Sequence, residues 1–151
     1  MTRLLRCSVA VLALMLVSAM PARAQQSSAA GRVKTVSGSA FIVRGGSVIP
    51  AQLGQVVFQA DALRTGADGT IGVTLKDDTR LALGPGSEVR LERFAYAPGT
   101  AGLGMVLKFV RGVTAYVSGR MAKLAPDSIR LETPSAIVGV RGTSLVVRVQ
   151  P

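Results

Sequence analysis

The 151-residue sequence predicts an all-β fold: short antiparallel strands in a β-sandwich, or in a coiled β-roll or β-helix-like domain. Three observations carry that prediction. Apolar residues in the middle of the chain recur at period two, which sets one row of side chains on one face of a strand. Clusters of Gly, Pro and Asp interrupt these runs about every ten residues, the spacing of an all-β domain. Beyond the N-terminal apolar run, no segment keeps apolar residues at three- and four-residue spacing without a glycine or proline inside it.

The elements follow in order. Arg3 and Arg6 precede an uncharged, mostly apolar run, Cys7–Met20, and "PARAQQ" follows it with Ala22 and Ala24 as an A-x-A site. This is the pattern of a secretory signal peptide spanning 1–24. The run is shorter than the roughly 20 residues of a spanning helix, and Pro21 ends it. The expected location is therefore periplasmic or secreted, with no transmembrane segment in the mature chain. Cleavage removes Arg3, Arg6 and Arg23, lowering the net charge from +10 to +7, and removes the single cysteine. No disulfide is then available in an oxidising compartment.

Residues 25–30, "QQSSAA", read as a disordered leader, and 31–151 as one domain. "RVKTVSGSAFIV" opens the strands, and "RGGS" at 44–47 is a turn. Ile71, Val73 and Leu75 alternate; "KDDT" breaks the run. Leu81 and Leu83 alternate; "GPGS" breaks it again before Val89 and Leu91. After "APGTAGLG" at 97–104, Met105, Leu107 and Phe109 resume the alternation, and Val113, Ala115 and Val117 follow Gly112. Residues 118–128, "SGRMAKLAPDS", read as an exposed connection. Ile129 and Leu131 lead into "TPSAIVGVRGT", and "SLVVRV" closes the chain. The predicted inward set is Ile71, Val73, Leu75, Leu81, Leu83, Val89, Leu91, Leu107, Phe109, Ile129, Leu131 and Val146.

Composition restricts the chemistry. The chain has no histidine and no tryptophan. Ser-His-Asp and Cys-His catalysis cannot be built, and His/Cys zinc sites lack ligands. No Ser-x-x-Lys pair and no phosphate-binding Gly-Lys loop occurs. No cofactor or metal is expected. The carboxylates left for a hydrolase are Asp77, Asp78, Glu88 and Glu92. The aspartates fall in a turn, and Glu88 and Glu92 in "SEVRLER" read as a solvated face. The net positive charge suits an anionic polymer. The basic residues are nevertheless spread along the sequence without interleaved aromatics, so no nucleic-acid partner is expected.

The stretch Thr133–Thr143 is the candidate site. Pro134 cannot donate to a strand ladder and marks a strand end or an edge. Gly139 and Gly142 flank Val140 and Arg141 where a bend or close approach would need glycine. The segment is expected to be mainly a fold-defining corner. Arg141 would be either its internal ion-pair partner or the anchor of a bound protein.

In order along the chain, "LG" at 53–54, "DALRT" at 61–65, Gly69 before Ile71, "DDT" at 77–79, "LGPGS" at 83–87, "LETP" at 131–134 and "VGVRGT" at 138–143 resemble the landmarks of the FecR domain. That domain is the periplasmic part of regulators of iron-uptake signalling, and it also occurs alone. The resemblance covers about Gly31 to Val149, with Asp78 in place of a turn glycine. It implies an all-β fold and a binding or regulatory role. Its signature maps onto Thr133, Pro134, Val138, Gly139, Val140, Arg141, Gly142 and Thr143 as the possible partner contact. Six residues before the apolar run leave no room for an anti-sigma segment, so sigma-factor regulation by this chain alone is not expected. The expected function is that of an exported, non-enzymatic module of the bacterial envelope, working by protein–protein interaction in signalling or assembly. The alternatives are a basic protein binding lipopolysaccharide or peptidoglycan and, behind it, a carboxylate-based hydrolase.

Overall fold

The computed structural model describes residues 28–140, 142 and 144–150. The proposed signal peptide, Gln25–Ser27 of the leader, Arg141 and Thr143 lie outside the described residues. The strands are β1 (Ala29–Ser37), β2 (Ala40–Arg44), β3 (Ser47–Pro50), β4 (Val56–Phe58), β5 (Ala62–Thr65), β6 (Thr70–Leu75), β7 (Arg80–Leu83), β8 (Glu88–Tyr96), β9 (Leu103–Val117), β10 (Ile129–Glu132), β11 (Ile137–Gly139) and β12 (Ser144–Val149). They form one sheet curled into a half-barrel, nine of them in the order β3-β2-β5-β8-β9-β7-β6-β1-β4, with β10 and β12 pairing on β9 and β11 on β10. The sequence-based expectation of an all-β fold holds.

The curl follows from β9. Its first half pairs with β8 and, in parallel, with β10. Its second half pairs with β7 and β12. Gly112 joins the two halves with φ +83°, and a Cβ there would overlap Ser87. Ser87 fills that space with its hydroxyl, which accepts the Val113 N–H and donates to the Val113 carbonyl, both at 3.0 Å. The sequence reads two short strands around Gly112; the structure has one strand of 15 residues, bent there. A left-handed glycine tightens the bend without ending the ladder.

Other turns hold as read. Gly45 and Gly46, both at positive φ, close the β2–β3 hairpin in the conformation that matches strand twist. Asp78 takes φ +67° between β6 and β7, the conformation the family's glycine would supply.

Eleven of the twelve predicted inward residues are buried in a single core, among them Ile71, Leu83, Leu107 and Phe109. Val146 is the correction: it is 69% exposed, while Leu145, Val147 and Val149 pack on the core. Arg148 shares a face with Val146, and an arginine does not turn inward unpaired. Ala29 and Ala30, assigned to the leader, belong to β1, and Ala30 is fully buried. The 118–128 connection is likewise not wholly exposed. It holds a single helical turn, Met121–Leu124, whose Met121 is fully buried.

Candidate functional site at the hairpin of β10 and β11

Most of the family-like motifs are built into turns. The Asp61 carboxylate is buried, accepts the Phe58 N–H at 2.8 Å, and takes a two-point contact from Arg44 at 2.7 and 2.8 Å. Hydrogen bonding to Asp61 raises the Arg44 pKa further above its ordinary value. The guanidinium also lies 4.5 Å above the Phe58 ring. Thr65 Oγ1 donates to the Gly84 carbonyl at 2.7 Å and accepts the Ser87 N–H at 2.9 Å. The first and last residues of "DALRT" are therefore clamps between strands.

"DDT" is a second clamp. The buried Asp77 accepts the backbone N–H of Thr79 at 3.1 Å and the Thr79 hydroxyl at 2.7 Å. The Asp77 carbonyl in turn accepts the Arg120 N–H at 2.6 Å. Gly119 is pressed so closely against this turn that a side chain there would collide with its backbone. The Asp77 carboxylate is thereby committed to hydrogen bonds within its own turn.

Glu88 corrects the reading of a solvated carboxylate. It is 5% exposed, with Arg64 at 3.2 Å, Arg90 at 3.3 Å and Arg111 at 3.7 Å around it. Strand pairing sets Arg64 and Arg111 on either side of Glu88. That neighbourhood depends on register between strands distant in sequence, and "SEVRLER" alone shows only Arg90. Glu92 remains exposed. Among the described residues no group of three or more His, Cys, Asp or Glu side chains is placed to hold a metal ion.

The predicted site residues among those described fall in the turn after β10, on β11 and in the crossing to β12. Thr133 opens the four-residue turn, where its hydroxyl oxygen accepts the Ala136 N–H at 3.0 Å. Pro134 sits exposed in that turn. β11 then pairs back on β10, with Val138 opposite Leu131 and Gly139 opposite Arg130. Ile137 is 69% and Val138 40% exposed. Among the described residues β11 pairs with no strand except β10, so its outer edge is open. Val140 turns inward and is 3% exposed, pinning the segment to the core. The Gly142 carbonyl accepts the Ser118 hydroxyl at 2.7 Å.

The glycines do not act as a sequence argument from tight corners would have them. Neither Gly139 nor Gly142 has a left-handed φ, and a Cβ at either would meet nothing within 4 Å. Within the segment the constraints are Thr133 and Val140. Ile137, outside the predicted site residues, is its most exposed large apolar side chain. The run "AIVG" could have shown this, because a three-residue strand next to a turn has little core to cover it.

The described residues form an all-β domain whose motifs lock its own turns, and the β10–β11 hairpin carries the exposed Ile137 and Val138. A family model described as FecR protein matches residues 61–151, more than half of the chain. The chain belongs to the FecR family, a regulatory family with a general role in envelope signalling. Comparison with curated proteins and comparison with solved structures each give no match.

Proposed function

We propose that this chain is an exported, non-enzymatic binding module of the bacterial cell envelope. It acts through protein–protein contact in envelope signalling or assembly, and β11 is its docking edge. The observation that carries this reading is the open edge of β11 beside exposed Ile137 and Val138. A partner segment adding as a strand would gain main-chain hydrogen bonds from that edge and cover both side chains. Such an arrangement gives affinity from the backbone and selectivity from flanking pockets. A shallow groove beside the hairpin, lined by Ile129, Arg130, Val138 and Val140, offers one such pocket. Family membership supports a regulatory role. The engagement of Asp77 within its turn and of Glu88 with three arginines argues against a carboxylate hydrolase.

The test is capture of an envelope protein by the wild-type chain and by Ile137→Asp. The substitution adds a charge at an exposed position, so melting should be unchanged while capture falls at least tenfold. Equal capture by the variant would remove β11 from the contact.

A further inference from the structure

The outer face of the half-barrel around β8 and β9 collects basic residues that the sequence scatters. Three cross-strand rows lie side by side. The first runs Arg64, Glu88, Arg111. The second runs Arg90, Lys108, Glu132, and the third Arg93, Val106, Arg130. Their neighbours along each strand, Leu91, Leu107 and Leu131, point into the core, so these side chains point out. Arg90, Arg93, Lys108, Arg111 and Arg130 are exposed. Glu88 and Glu132 each cancel one of the six positive charges, and Glu88 also holds Arg64, Arg90 and Arg111 in place. Across the hairpin of β2 and β3 the face ends in Val43 and Val48, in register with Ala62, which faces Arg90. Val48 is 54% exposed.

We infer that this face binds a phosphate-bearing anionic lipid surface. Guanidinium groups match phosphate oxygens two at a time, and five of the six basic residues are arginine. The charges occupy a two-dimensional patch across four strands, whereas a single polymer chain needs a linear track. Exposed Val48 at the margin gives an apolar contact that a lipid boundary rewards and a soluble glycan does not. The face meets β11 along shared rows, Arg130 opposite Gly139 and Glu132 opposite Ile137, so the variants separate the two proposals: Ile137→Asp leaves all six basic residues in place, and the face variant leaves Ile137 and Val138 in place.

The experiment is co-sedimentation of the full chain with phosphatidylcholine vesicles, with and without phosphatidylglycerol. All variants share one N-terminus, so its own contribution cancels. The face variant combines Arg93→Gln, Lys108→Gln and Arg130→Gln, none of which touches Glu88. The control combines Lys34→Gln, Arg80→Gln and Arg148→Gln, exposed on the other half of the sheet. Both lose the same charge. The expected result is binding that requires phosphatidylglycerol, at least tenfold weaker in the face variant and within threefold of wild type in the control. Val48→Ser should weaken binding a few-fold and make the remainder more salt-sensitive. Lys108→Glu alone is the second variant should the triple melt early, with the same direction expected. Equal loss in both triples would mean that net charge alone is responsible and overturn the inference. So would absence of binding, or release by polygalacturonate at equal charge concentration, which would assign the face to an acidic polymer.

Discussion

Tyr116 is the most deeply buried polar side chain without an evident role. The residue is fully buried, and its hydroxyl makes no hydrogen bond of good geometry. Burial, and then the nearby Asp77 carboxylate, push its pKa from 10.0 up to about 12, with Thr79 offsetting part of the rise. Below about pH 10 the phenol is neutral in folded and unfolded chains alike. Between about 10 and 12 the unfolded chain ionises first, so this group's contribution is lost as pH rises through that window. Tyr116→Phe should therefore be neutral or stabilising by up to ~1 kcal/mol near pH 7. It should also flatten the loss of stability above pH 10, as read from urea melts at several pH values.

Residue by residue, the family-like motifs were legible as motifs but not as causes. "DALRT" shows an Asp and a Thr four positions apart. Only the fold reveals that one takes Arg44 and the other ties Gly84 to Ser87. The partner of each clamp is 17 or more residues away, and strand register decides it. Gly139 and Gly142 mislead for the opposite reason: glycine next to a bend suggests strain, yet neither backbone needs it.

At the scale of elements, β9 governs the curvature. Alternation along 105–117 gives two strands in sequence because Gly112 resets the phase. The structure keeps one strand by absorbing an irregularity opposite Glu88 and Val89 and turning at Gly112. Gly112→Ala should cost about 2–5 kcal/mol, from a left-handed φ plus overlap with Ser87. Gly139→Val should stay within about 0.5 kcal/mol, as expected for open space. Thermal melts of the two compare a hinge with a bystander. Equal melting would mean that the bend of β9 does not hold the half-barrel together. The period-two core was legible because both halves of the sheet bury one face only, and β12 escaped because Val146 and Val147 are alike until Arg148 fixes the parity.

For the whole molecule, the curled sheet leaves two outer surfaces with separate properties. One is the apolar edge at β11, the other the basic face over β8 and β9. Neither was readable from composition: the basic face depends on the register of β5, β8, β9 and β10, and the apolar edge on β11 pairing with β10 alone among the described residues. Export is the condition for the proposed role. We expect cleavage after Ala24, and intact-mass measurement of the envelope fraction should show a chain starting at Gln25. Among the described residues no helix is long and apolar enough to cross a membrane. A chain retaining residues 1–24 would point to an anchored form.

The central claim is that a protein partner docks on the edge of β11. The most direct test places a photo-crosslinking amino acid at Ile137 and, as control, at exposed Thr70 on β6, each in the full chain in living cells. The account predicts one discrete adduct from position 137, none from position 70, and loss of the adduct on adding Val138→Asp. Adducts from position 70 with the same protein, or no adduct from 137 while one forms elsewhere, would contradict it.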